Sequence, residues 1–139
     1  MTEVTDLKSI IRDTAIIEEE VPGYPGFVVK VSYPGRQALL KIRKAATTQK
    51  LNRKTGQVED ELDDEKFLKK FVEAVIKGWS GLKLSYMQEL ALVDIEGLDP
   101  DSEIKFSVDN AIVLMESSPV FDTWITELST DFENFTKPK

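Results

Sequence analysis

Neither cysteine nor histidine occurs among the 139 residues. That removes thiolate nucleophiles, disulfides, thiolate-bound zinc and the imidazole base, and with them the Ser-His-Asp and Cys-His mechanisms. Acid–base or metal chemistry would have to rest on carboxylates, and the chain is rich in them: 25 Asp and Glu stand against 18 Lys and Arg, a net charge of −7. Two clusters are dense enough to weigh. Glu59-Asp60-Glu61 and Asp63-Asp64-Glu65 could gather a divalent cation, but acids ahead of an apolar periodic segment read first as a loop and the acidic opening turn of a helix. Asp99-Pro100-Asp101-Ser102-Glu103 begins like a calcium loop, yet Ile104 stands where that loop needs glycine and Pro100 stiffens it, so it reads as a turn. Gly78-Trp79-Ser80-Gly81 is too short for a phosphate loop and lacks the lysine at the required offset. No catalytic residue, no cofactor and no metal ligand is assigned on these grounds.

Charge is unevenly placed. From Val21 to Val58 there are eight basic residues and no acid: Lys30, Arg36, Lys41, Arg43, Lys44, Lys50, Arg53 and Lys54. From Leu84 onward twelve acids face three lysines. The basic 30–54 segment is a candidate nucleic-acid surface, but no aromatic residue lies between 34 and 66 to stack a base, and no known nucleic-acid-binding signature accompanies it. The acidic balance of the whole chain also opposes nonspecific coating of DNA. A basic face that pairs with the acidic remainder, or with an acidic partner, is the plainer reading. Large aromatics are the other residues able to act at a surface. Trp124, Phe132 and Phe135 are the candidate partner-binding residues, because buried aromatics dominate protein interfaces. At helical spacing Trp124 fits a core position equally well, whereas Phe132 and Phe135 trail the last strong helix and precede a polar tail.

The elements that must hold these residues follow from pattern. One domain spans 1–139. Asp6 or Thr5 can cap a short helix carrying Leu7, Ile10 and Ile11. Val21-Pro-Gly-Tyr-Pro-Gly26 is a turn, and Phe27, Val29, Val31 and Tyr33 alternate with Val28, Lys30 and Ser32, so 14–33 reads as a β-hairpin. Leu39, Leu40, Ile42, Ala45 and Ala46 predict a helix over 36–48. Residues 49–60 have no sustained period and read as a turn or mobile loop. Asp63 or Asp64 caps a helix over 64–77 whose apolar face runs from Phe67 to Trp79. Residues 82–95 lean helical. Ser107 is an N-cap, and Ser118-Pro119 opens a further helix carrying Val120, Phe121, Trp124, Ile125 and Leu128. The fold class is α+β, an N-terminal β-hairpin followed by a mainly α-helical region over 36–135. No stretch approaches the roughly 20 apolar residues of a membrane span, and the N-terminal segment lacks the apolar core of a signal peptide.

Several stretches, taken in order and spacing, resemble the tail assembly chaperone family of long-tailed bacteriophages. They are Val21-Pro-Gly-Tyr-Pro-Gly-Phe27, Leu51-Asn-Arg-Lys-Thr-Gly-Gln57, Ala74-Val-Ile-Lys-Gly-Trp-Ser-Gly-Leu82, Leu98-Asp-Pro-Asp-Ser-Glu103, Ser107-Val-Asp-Asn-Ala111, Ser117-Ser-Pro-Val-Phe-Asp-Thr-Trp124 and Asp131-Phe-Glu-Asn-Phe135. The resemblance implies a non-catalytic protein that binds the tape-measure protein, and the tail-tube protein as a further partner, in the host cytoplasm. It implies a longer frameshifted form of the same product, self-association as an open question, and absence from the mature virion. It supplies no catalytic or cofactor-binding residue. Two other readings stay open at this level: a structural tail or connector protein, and a nucleic-acid-binding regulator acting through 30–54.

Overall fold

The computed structural model describes residues 6–11 and 15–136. Asp6 accepts a hydrogen bond from the Lys8 N–H and opens a single 3-10 turn, Leu7–Ser9; Thr5 and Thr14 lie outside the described residues. β1 (Ile16–Glu20) and β2 (Val28–Ser32) form the expected antiparallel hairpin, with Ile16 opposite Ser32 and Glu20 opposite Val28. The turn between them is held by the Val21 N–H donating to the Phe27 carbonyl and by the Gly26 N–H donating to Glu20 Oε1 at 2.7 Å.

The hairpin is not alone. The helix expected over 64–77 is α2 (Asp64–Val75), and Ile76 leaves it with extended backbone to begin β5 (Ile76–Ser80), which pairs antiparallel with β2. The sheet order is therefore β1-β2-β5. Ile76 and Trp79 sit at helical spacing from Phe71 and Val72, so periodicity carried the expected helix too far. The open edge of β2 offers backbone hydrogen bonds and burial that override that local pattern. A register shift between Lys30 and Val31 bends β2 where it meets the helix-to-strand junction.

One face of this sheet carries the core. Phe27, Val29 and Val31 are fully buried against Phe71, Val72 and Val75 of α2, against Ala111, Leu114 and Met115 of α4 (Val108–Ser117), and against Phe121 and Ile125 of α5 (Pro119–Thr130). The other face is solvated, where Lys30 reaches Glu18 across the strands at 3.7 Å. A sheet packed on one side and wet on the other, with helices layered over the apolar side, is α+β architecture.

The remaining helices follow their caps. Asp63 accepts from the N–H groups of Glu65 and Lys66, and Ser107 accepts from that of Asn110. Ser118 is fully buried and accepts from the Phe121 N–H at 3.1 Å, with Pro119 at the first helical position. Ser118→Ala is expected to cost about 1 kcal/mol, since it strands that buried donor. Urea denaturation should show a lower midpoint at unchanged slope. α3 (Leu84–Leu90) is shorter than the 82–95 stretch suggested, and the described residues end in α6 (Glu133–Thr136).

Residues 49–60 correct the sequence reading. After α1 (Gly35–Ala46), β3 (Thr47–Leu51) pairs antiparallel with β4 (Val58–Leu62), so only 52–57 form a loop. The second hairpin packs mainly on itself and is exposed along almost its whole length, so neither strand needs an apolar face toward the core. In its register Lys50 stands opposite Glu59, and its Nζ approaches Glu61 Oε2 at 3.6 Å. Such an exposed pair contributes well under about 1 kcal/mol, but it disfavours slipped registers.

Candidate functional site

The structure builds an open groove of about 660 Å³ from α1, α2 and α5. Each wall follows from local sequence. α1 turns its buried side, Ile42 and Ala46, inward and leaves Leu39 half-buried and Leu40 54% exposed at the groove edge. α2 contributes Phe67, Leu68 and Phe71, with the Phe67 and Phe71 rings stacked 6.1 Å apart. α5 contributes Asp122, Thr126 and Thr130, and Tyr33, just past β2, adds to the lining. The lining is apolar. Its rim is charged with opposite signs, Arg36 and Arg43 coming from α1 while Asp64 and Asp122 come from α2 and α5.

A second depression of about 690 Å³ shares Tyr33 and Arg36 with the first and runs along the start of α1. Phe132 and Phe135 lie here, both against Tyr33, with ring centroids 5.5 Å and 5.2 Å away. Exposed Ile10 and Ile11 border the same hollow, with Lys41 supplying charge. The structure thus brings two of the three candidate residues together. Phe132 is largely exposed, while Phe135 is half-buried and already committed to Tyr33 and the core. Trp124 lies apart on another face of α5, half-buried against Phe121 at 6.1 Å and bordered by Pro119, Val120 and Glu127.

Leu39, Leu40, Phe67 and Leu68 escaped selection as site residues because each fits a core stripe. The available signal was the width of α1's apolar face, where Leu39 and Leu40 are adjacent and cannot both point inward.

The carboxylate clusters do not converge. Among the described residues, no group of three or more acids is placed to hold a metal ion. Asp99 uses its carboxylate to accept from the Asp101 N–H in a turn, and Asp63 spends its own on the α2 cap. The basic segment is divided: Lys30 serves β2, Arg36 and Arg43 rim the groove, and Lys50 sits in the second hairpin. The phenol of Tyr24, on the Pro-Gly turn, is held above the ordinary tyrosine value by burial and then by the nearby charge of Glu89. Among the described residues, no helix is long and apolar enough to cross a membrane.

Fold and groove together define an α+β protein with an open, helix-walled apolar trough bordered by charge. Residues 33–139 match the model of the YdaY prophage protein family, and the chain belongs to that phage-derived family. The match starts at Tyr33, just past β2, and takes in every element that builds the main groove. No curated protein and no solved structure matches the chain.

Proposed function

We propose that this protein is a tail assembly chaperone, a non-catalytic binder that covers apolar stripes of a phage tape-measure protein until the tail tube polymerises around it. The observation that carries this reading is the groove between α1, α2 and α5, whose apolar floor and helical walls suit an amphipathic helix laid lengthwise. A tape-measure chain is a long helix with exposed apolar surface, and such surface aggregates unless shielded. Prophage membership supports the setting, and the sequence resemblance supplies the client. Many copies binding along one client need only weak individual contacts, because linkage along the chain raises the effective concentration. On this reading the protein works in the host cytoplasm with the tape-measure and tail-tube proteins and leaves before the virion matures.

Co-expression with the adjacent large tail gene, followed by pull-down, tests this. The client should be insoluble alone and should co-purify with the wild-type chain. Leu40→Glu sets a charged carboxylate at the apolar groove edge, where a bound apolar stripe would have to desolvate it at a cost of about 1–3 kcal/mol, and should cut the recovered soluble client about tenfold or more. Phe135→Ala reports on the second hollow: if it removes the client while Leu40→Glu does not, the client lies against Tyr33 and α6 instead. Mass spectrometry of purified virions should lack the protein; finding it there at stoichiometric level would identify a structural tail part. A client that stays insoluble beside the wild-type chain would sink the proposal.

A further inference from the structure

Between α3 and α4 the chain exposes apolar side chains that no element covers. Leu92 is 105% exposed, and Val93 and Leu98 are 41% and 56% exposed, all within seven residues. Around them stand Asp94, Glu96, Asp99 and Asp101, and no basic residue occurs between Lys83 and Lys105. The segment is nevertheless held in place. The Leu84 N–H donates to the Ser102 carbonyl and the Ile104 N–H to the Leu82 carbonyl, which pins 102–104, just after these side chains, beside the exit of β5; within the segment the Leu98 N–H donates to the Ile95 carbonyl and the Glu96 N–H to Asp94. A fixed loop that presents aliphatic side chains amid acids is a ligand surface in its own right.

A surface of matching chemistry exists on the same chain. The groove of α1, α2 and α5 has an apolar lining and carries Arg36 and Arg43 on its α1 wall, with Asp64 from the start of α2 and Asp122 from α5. Loop acids directed toward α1 would meet guanidinium groups, while the aliphatic side chains enter the trough. The two surfaces lie at opposite ends of β2. Tyr33 follows its C-terminal end and lines the groove, whereas Val28 at its N-terminal end pairs with Ser80, next to the strand exit that pins the loop. The strand between them is roughly 15 Å long, so the groove that receives this loop is that of another molecule.

We infer that the loop at 92–98 of one copy docks into the α1–α2–α5 groove of the next. The contact is head-to-tail, so it leaves a free loop at one end and a free groove at the other and continues past two copies. It stands whether or not the groove also takes a client, and its test contains no client.

Sedimentation velocity on the full chain, from low micromolar to near-millimolar concentration, reads the assembly directly. Wild-type protein should pass beyond a dimer as concentration rises, and added salt should weaken the series. Leu92→Asp blocks the loop and Leu40→Glu blocks the groove; both positions are exposed, and unchanged circular dichroism establishes that each variant folds. Each variant alone should associate at least tenfold more weakly than wild type. Mixed in equal amounts they should form a one-to-one complex that stops at two, because one supplies an intact groove and the other an intact loop. Leu92→Ser with Leu40→Gln provides a second pair should either first variant misfold. Three outcomes overturn the inference: a monomeric wild-type chain at near-millimolar concentration, association that survives both blocks, or a mixture that behaves as the sum of its parts. A wild-type series that stops at the dimer overturns the head-to-tail contact as well, because a two-fold symmetric contact closes there.

Discussion

Phe121→Ala is expected to destabilise the fold by about 3–5 kcal/mol, the range for truncating a large buried aromatic. Phe121 is fully buried where α5 packs on the sheet. Its ring stacks on Phe27 of the sheet at 6.0 Å with planes 8° apart, meets Trp79 of β5 edge-on at 6.4 Å, and touches Trp124 of its own helix at 6.1 Å. Removing it takes away the transfer energy of a phenyl group, leaves a cavity walled by β2, β5 and α5, and dissolves aromatic contacts worth about 0.5–1.5 kcal/mol apiece beyond burial. A domain of this size has a total stability of only about 5–15 kcal/mol, so the variant should unfold at markedly lower urea. Trp79 lies against the vacated site, so its fluorescence in the folded state should shift as well. Phe121→Leu keeps most of the volume and should cost clearly less. If Phe121→Ala moves the urea midpoint no more than Ser118→Ala does, then α5 is not the clamp over the sheet that its contacts describe.

How much of this was readable in the sequence depends on whether the deciding contacts were local. The Pro-Gly pairs at 22–26 announce a turn, and Phe27, Val29 and Val31 show the alternation of a strand with one buried face, so the first hairpin is legible. Asp63, Ser107 and Ser118-Pro119 are caps whose hydrogen bonds reach only two or three residues, and all three form. The second hairpin is different. Leu51, Val58 and Leu62 share one face by register, yet all three are exposed, and the strands carry Thr, Gln, Lys, Glu and Asp between them. No burial imposes alternation there, and the remaining signal was the opposition of basic 50–54 to acidic 59–61. β5 was masked for the opposite reason: Ile76 and Trp79 satisfy a helical period perfectly well, and only the vacant edge of β2, more than forty residues earlier, makes them a strand. The groove is the least local feature of all, assembled from α1, α2 and α5, whose residues are separately ordinary amphipathic positions. Of the three aromatics singled out, Phe132 and Phe135 meet on Tyr33 because the chain turns back at Asp131, whose carboxylate accepts from the Glu133 N–H. Trp124 remains on a separate face of its helix.

Gly81→Ala is expected to be the most damaging exchange of a glycine, at about 3 kcal/mol or more. Gly81 follows β5 with φ of +77°, in the left-handed region where an L side chain is strained by roughly 1–2 kcal/mol. A Cβ there would lie 1.9 Å from the Gly26 carbonyl oxygen and 2.6 Å from its carbon. Those are backbone atoms in the turn of the first hairpin, so no side chain can swing away to make room. That turn is fixed by Glu20, which accepts from the Gly26 N–H, while Glu103 accepts from the Gly81 N–H at 3.0 Å. Tyr86 of α3 also donates to the Pro25 carbonyl, which ties the same turn to the segment beyond Gly81. An added methyl must therefore push apart the β1–β2 turn and the exit of β5 together. Gly97→Ala supplies the comparison: its φ is +82° but nothing lies within 4 Å of a new Cβ, so it should show the strain alone, about 1–2 kcal/mol. The excess of the Gly81 variant over the Gly97 variant in urea denaturation measures the clash. Equal losses would mean that the two backbones separate freely, and that the turn at 22–26 and the exit of β5 are not packed as one unit.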